Sequence, residues 1–215
     1  MEYDVILFDF DYTIADATEG IVDSANYALR ALGLPEAARE AIRHTVGMTL
    51  EEAYTSLTGK TDADEMTRYR ALYVERGNEV MTAGTVLFPD TKEALARLQA
   101  AGGMLGIVSS KYRFRVAEAL AKFGLTAITL VIGLEDVVQA KPAPEGIEKA
   151  IAHFGSAKPR TLFVGDSLYD GKAARNAGVD FAAVLNGTTP RKAFEGLPHV
   201  LIADSLTALA DRLCE

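Results

Sequence analysis

The chain has 215 residues, with 22 Lys and Arg against 30 Asp and Glu for a formal charge of −8. That length suits one large domain, or a core with a smaller insertion. An apolar fraction of 49% and a charged fraction of 24% exclude a disordered, collagen-like or coiled-coil chain, and the acidic balance argues against a nucleic-acid partner, which needs clustered Lys and Arg.

In chain order, the opening Met1-Glu2-Tyr3-Asp4 carries no basic region and leads into a short apolar run. It reads neither as a signal peptide nor as a membrane span, and the expectation is a cytoplasmic protein with no membrane partner. The run Val5–Phe8 reads as a buried strand. A long helical stretch follows. Ile21, Ala25, Ala28, Leu29 and Leu32 form one apolar stripe that stops at Gly33 and Pro35. Further helical patterns cover residues 36–44, 50–57 and 65–81, so residues 15–85 read as an all-helical insertion. It holds seven basic and twelve acidic residues, a balance that again disfavours nucleic acid.

From residue 104 the pattern alternates. Short β-branched runs at 104–108, 128–132, 161–164 and 181–185 read as strands. The helices between them have apolar faces such as Val116, Ala119, Leu120 and Phe123, or Ile147, Ala150, Ile151 and Phe154. This is the signature of repeated βα units. The expected fold class is α/β: a doubly wound, mostly parallel, Rossmann-like sheet formed by residues 1–14 and 86–215, with an inserted α-helical subdomain at 15–85. Cys214, the single cysteine, cannot close an internal disulfide, and His153 and His199 are not grouped as metal ligands.

Chemistry-bearing residues fall at strand ends. Asp9-Phe10-Asp11-Tyr12-Thr13 follows the first strand directly. Two carboxylates at the carboxyl edge of a parallel sheet lie where open α/β folds bind ligands, and they suit a hard cation such as Mg²⁺. Gly165-Asp166-Ser167-Leu168-Tyr169-Asp170 follows another strand and opens a helix. Asp166 or Ser167 alone reads as an N-cap, but Asp166 is also placed to complete the cation site. Ser109-Ser110-Lys111 ends the 104–108 strand, offering a hydroxyl and backbone N–H groups to a phosphoryl oxygen. Lys141 lies in Ala140-Lys141-Pro142-Ala143-Pro144, where the following proline favours extended backbone.

These four segments together are similar to the four motifs of the haloacid dehalogenase-like hydrolase superfamily, and among its members to the phosphoglycolate phosphatase-like group. That group has a helical cap between the first two motifs, which the insertion at 15–85 resembles. Two positions differ from the usual pattern: Ser110 stands where Asn is common, and Tyr12 where many relatives have Gly. The resemblance implies Asp9 as the nucleophile that forms an aspartyl-phosphate and Asp11 as the general acid and base. It implies Mg²⁺ held by Asp9, the main-chain carbonyl of Asp11, and Asp166. Ser109 and Lys141 then bind the transferring phosphoryl group, with Ser110 and Thr13 among the substrate-binding positions, while Asp170 and Ser167 support Lys141 and the metal shell. Asp11 favours phosphate-ester cleavage over dehalogenation, because an alkoxide needs a proton to leave and a halide does not.

Substrate choice is expected in the insertion. The segment His44-Thr45-Val46-Gly47-Met48-Thr49 resembles a cap loop facing the active site, with Thr45, Gly47, Met48 and Thr49 as substrate-binding candidates. An equally good reading makes Gly47 a helix terminator and Thr49 a helix cap. Asn186-Gly187-Thr188-Thr189 lines the site or forms a simple turn. The expected function is Mg²⁺-dependent hydrolysis of a small phosphorylated metabolite, phosphoglycolate-like. The alternatives are a pyrophosphatase, a sugar phosphomutase, or more remotely a non-catalytic regulatory protein. The oligomeric state stays open.

Overall fold

The computed structural model describes residues 2–215, which divide into two compact units: residues 2–16 with 87–215, and Ala17–Val86. In chain order the elements are β1 (Val5–Phe8), β2 (Ala15–Asp16), α1 (Thr18–Ala31), α2 (Arg39–Arg43), α3 (Leu50–Thr58), α4 (Ala63–Val80) and β3 (Val86–Leu87). Then follow α5 (Thr91–Ala100), β4 (Met104–Val108), α6 (Arg113–Phe123), β5 (Ile128–Ile132), α7 (Glu145–Phe154) and β6 (Thr161–Gly165). The chain finishes with α8 (Leu168–Ala177), β7 (Asp180–Val184), α9 (Arg191–Phe194), β8 (Leu201–Ala203) and α10 (Leu206–Cys214).

The larger unit is built on a six-stranded sheet in the order β5-β4-β1-β6-β7-β8, with every described pairing parallel. It is a Rossmann-like, doubly wound α/β sheet. β1 reads Val-Ile-Leu-Phe and is buried throughout because both faces are covered. Ile6 and Phe8 point to one layer, against Leu98, Val116 and Leu209; Val5 and Leu7 point to the other, against Ile147, Ile151 and Ala174. Each such side chain, fully buried, contributes about 1.5–3 kcal/mol of transfer free energy.

Strand order reverses at β1. The chain runs outward from β1 through β4 to β5, then crosses back to build β6, β7 and β8 on the other side. Ligand crevices form at such a switch point, beyond the carboxyl ends of the strands. Register makes the crevice specific: Phe8 is level with both Ile107 and Val164. Asp9, Ser109 and Asp166 therefore leave three adjacent strands at nearly the same height.

In the smaller unit α1 and α4 pack together. Ile21 and Ala25 contribute to a cluster with Ile42 and Met81, and Ala28 and Leu29 to a second with Tyr54 and Tyr69. Gly59 ends α3 in the left-handed conformation, and Asp62 caps α4 by accepting from Glu65 N at 2.8 Å.

Several boundaries differ from the sequence reading. The insertion read at 15–85 is not helical throughout: it opens with β2, which pairs with β3 just beyond it as a two-stranded ribbon, each too short to show alternation. The helix expected over 36–44 covers only Arg39–Arg43. The strand expected at 181–185 is Asp180–Val184. β8 was not expected, because Leu201–Ala203 is three residues long and only partly buried at a sheet edge. Among the described residues no helix is long and apolar enough to cross a membrane.

Candidate active site

Asp9 follows β1, its amide held by the Val164 carbonyl at 2.9 Å. Lys141 Nζ stands 2.9 Å from Asp9 Oδ1, an ion pair that lacks the alignment of a hydrogen bond, and 2.6 Å from Asp170 Oδ1. All three side chains are buried. Asp170 is aimed by a capping box at the start of α8: Ser167 is the N-cap, and its amide and hydroxyl donate to Asp170 Oδ2 at 3.0 and 2.6 Å. Ser167 is thus both the N-cap of α8 and a hydrogen-bond donor to Asp170. Gly165 makes room, since a Cβ there would stand 2.4 Å from the Asp170 Cβ.

Ligand atoms of Asp9, Asp166 and Asp170 lie within 4.8 Å of one another. Burial, and then the charges of Asp170 and Asp9, push the Asp166 carboxyl well above the ordinary range. Burial also raises Asp170, against the pull of Lys141. For Lys141, burial alone would lower the ammonium, but Asp170 and Asp9 more than offset it, and it stays charged. Three buried carboxylates thus share one buried ammonium, which leaves excess negative charge among hard oxygen donors. A divalent hard cation fits that set.

Asp11 is two residues from Asp9 but sits outside this trio. Its carboxylate accepts from Lys111 Nζ at 3.1 and 2.9 Å, and the two side chains are only 12% and 9% exposed. Burial raises the Asp11 carboxyl and Lys111 opposes the rise. Such a group suits proton transfer. In the sequence Lys111 is only the last residue of Ser109-Ser110-Lys111, and nothing in its spacing from Ser109 shows that its ammonium folds back to Asp11.

Ser109 is buried, its amide paired to the Ile132 carbonyl at 3.0 Å and its Oγ accepting from Lys111 N at 3.3 Å. The Ser110 hydroxyl is buried with no protein partner. Thr13 Oγ1 donates to Asp166 Oδ1 at 3.3 Å, and Asn186 Nδ2 donates to the Thr13 carbonyl at 3.1 Å. The loop bearing Lys141 is tied down by residues the sequence did not single out. Asn176 Nδ2 donates to the Pro142 carbonyl at 2.9 Å, and Glu145 accepts from the Val138 and Gln139 amides, both at 2.9 Å. Tyr12 is buried with φ 60°, a left-handed conformation uncommon outside glycine.

Thr45, Gly47, Met48 and Thr49 all lie in the smaller unit. Thr45 Oγ1 donates to the Ile42 carbonyl at 2.7 Å, and Gly47 has φ 95°. Met48 N donates to the Thr45 carbonyl at 3.1 Å, and Thr49 forms a capping box with Glu52 at the start of α3.

A parallel sheet whose switch-point loops gather carboxylates, a lysine and a serine has the architecture of an α/β hydrolase that handles phosphate groups. The family model for haloacid dehalogenase-like hydrolases matches residues 6–184, and the chain belongs to that family. It is 35% identical over 187 residues, covering 85% of this chain and 80% of the other, to a phosphoglycolate phosphatase of Photorhabdus laumondii. It is 31% identical over 194 residues, 88% of each chain, to the pyrophosphatase PpaX of Bacillus velezensis. A crystal structure of a protein described as a haloacid dehalogenase-like hydrolase, from Bacteroides fragilis, superposes with a TM-score of 0.93 at 39% identity, covering 96% of this chain and 99% of that one. Within the family the chain is a phosphatase.

Proposed function

We propose that the chain is a Mg²⁺-dependent phosphatase that hydrolyses a small phosphomonoester through an aspartyl-phosphate on Asp9. The observation that carries this reading is the division of the two neighbouring carboxylates. Asp9 lies against Lys141 in the acidic trio, whereas Asp11 is turned to Lys111 with its carboxyl pushed up. Asp9 and Asp166, with the Asp11 main-chain carbonyl, would hold the cation. When bound, Mg²⁺ neutralises charge on the phosphoryl oxygens.

Asp9 Oδ attacks phosphorus and the ester P–O bond breaks. Asp11 gives its proton to the departing alkoxide. In the second half Asp11 takes a proton from water, whose oxygen attacks the same phosphorus. The Asp9–phosphate bond breaks, and inorganic phosphate leaves. Lys141 offsets the repulsion between a carboxylate and a phosphate dianion, and Ser109 holds a phosphoryl oxygen.

Phosphoglycolate, or a phosphoester of similar size, is the first substrate to test, given relatives that act as phosphoglycolate phosphatases. Pyrophosphate is the second, given the Bacillus velezensis relative. The helical unit Ala17–Val86 serves in this reading as the cap, with Thr45, Gly47, Met48 and Thr49 as its substrate-facing positions. Hydrolysis of p-nitrophenyl phosphate should vanish in excess EDTA and return with Mg²⁺, and rapid quench should trap phosphate on the wild type but not on Asp9→Asn. Undiminished turnover in EDTA, or label on Asp9→Asn, would overturn the scheme. A panel of phosphoesters, including sugar bisphosphates, then separates phosphatase from pyrophosphatase and mutase.

A further inference from the structure

Asp166 is bounded by two different segments. Thr13 Oγ1 reaches its Oδ1, and the Thr13 carbonyl is in turn held by Asn186 Nδ2. Gly187 lies against the opposite oxygen: a Cβ built there would stand 1.9 Å from Asp166 Oδ2, 2.7 Å from Cγ and 3.1 Å from Cβ. The backbone of Gly187 is outside the left-handed region. Glycine is therefore required by close approach and not by conformation. The segment is anchored at its base, where Leu185 N donates to the Ala203 carbonyl at 3.0 Å.

We propose that Asn186 and Gly187 form a positioning clamp that sets where the Asp166 carboxylate points, and through it the affinity of the site for its divalent cation. The inference rests on reading Asp9 and Asp166 as ligands. Moving the contact at Oδ2 from 1.9 Å to an ordinary 3.4 Å displaces the carboxylate by more than about an ångström, whereas Mg²⁺ demands near-ideal octahedral geometry at about 2.0–2.1 Å. One added methyl group is therefore enough to take Asp166 out of ligand position. Asn186 acts at one remove, by fixing the turn that carries the Thr13 hydroxyl.

The test is calorimetric titration of Mg²⁺ into chelator-treated, full-length protein, comparing wild type, Gly187→Ala, Asn186→Ala and Gly196→Ala. The last is a control, since nothing lies within 4 Å of a Cβ at Gly196. Losing an outer partner of a metal ligand lowers affinity by about 10–100-fold. That range is expected for Gly187→Ala, with a smaller loss in the same direction for Asn186→Ala and none for Gly196→Ala. Turnover of p-nitrophenyl phosphate by Gly187→Ala should recover as Mg²⁺ is raised, with the substrate KM at saturating metal unmoved. Wild-type affinity in Gly187→Ala overturns the clamp. A wild type that binds no Mg²⁺ overturns the metal reading first, and the clamp with it. If Gly187→Ala does not fold, Asn186→Ala decides, and unchanged binding there overturns the clamp.

Discussion

Replacing Lys111 with methionine keeps an apolar stem of similar length and removes only the ammonium that faces Asp11. The ammonium lies 2.9 and 3.1 Å from the two carboxylate oxygens, in a pair whose side chains are only 9% and 12% exposed. Deleting one partner of a buried pair costs about 3–5 kcal/mol. The carboxyl can instead take up a proton, and burial already pushes Asp11 in that direction while Lys111 opposes it. Neutralisation sets a ceiling: an ordinary Asp near 3.9 lies about three units below pH 7, and at about 1.36 kcal/mol per unit this gives roughly 4 kcal/mol. The expected loss at pH 7 is thus about 2–4 kcal/mol.

The pH dependence follows from linkage. A carboxyl that titrates higher in the native state than in the unfolded state holds an extra proton between the two values, so stability falls as pH rises through that window. The deficit of Lys111→Met should be near zero at about pH 4, where both folded proteins hold the Asp11 proton. It should grow by up to roughly 1.4 kcal/mol per unit once pH passes the raised wild-type value, and level off once Asp11 ionises in the folded variant. Denaturant unfolding of both proteins in EDTA, from about pH 4 to about pH 8, measures it. A deficit of equal size at both ends would put the loss in packing, and the charge account of this pair would be wrong.

Asp11→Asn keeps an acceptor for Lys111, so its loss should be confined to proton transfer, about 10²–10⁴-fold in rate. The loss should be smaller for phosphorylation by aryl than by alkyl phosphates, and kcat/KM for the two substrate classes, which covers only the steps up to release of the alcohol, reads it. Tyr12→Gly relieves a left-handed backbone, worth about 1–2 kcal/mol, but deletes a buried aromatic side chain, which costs about 3–5 kcal/mol. Thermal unfolding should therefore show net destabilisation, and a rise in Tm would reverse that ranking. Glu145 is held at about 2 by Lys149 and the Gln139 and Val138 amides. Because its native value is depressed, its contribution is present above about pH 4.3 and is lost as pH falls toward about 2. Hydrogen exchange should show Val138 and Gln139 amide protection declining over that interval, and already missing in Glu145→Gln at neutral pH.

The six-stranded sheet was largely legible because parallel strands buried on both faces are written as short β-branched runs, and Val5–Phe8 is the clearest of them. Asp9, Ser109 and Asp166 were legible for the same reason: each immediately follows such a run, and parallel register brings run ends together. What stayed hidden depends on where a side chain turns after it leaves the backbone. Gly187 reads as part of a loop that lines the site or forms a simple turn, and no pattern in the sequence says that a carboxylate 21 positions earlier fills the space its Cβ would take. Glu145 lies in the first turn of α7, and that it also ties down the Lys141 loop follows only from the path of residues 137–144.

The two carboxylates of Asp9-x-Asp11 show the limit most clearly. In the sequence they are equivalent groups two residues apart, and either could be placed on a cation. The fold sets each against a different ammonium, delivered from a different strand-to-helix loop: Lys141, which Asp170 shares, against Asp9, and Lys111 against Asp11. Asp9 also faces Asp166 and Asp170, with ligand oxygens of the three within 4.8 Å of one another, a donor set that suits a hard cation. The Asp11 carboxylate has one side-chain partner, is buried beside it, and is pushed toward the protonated state by that burial. An attacking group must be ionised and a proton donor must not be. In the proposed scheme the separation of roles therefore depends on the two lysines and on burial, with Asp9 and Asp11 themselves chemically alike.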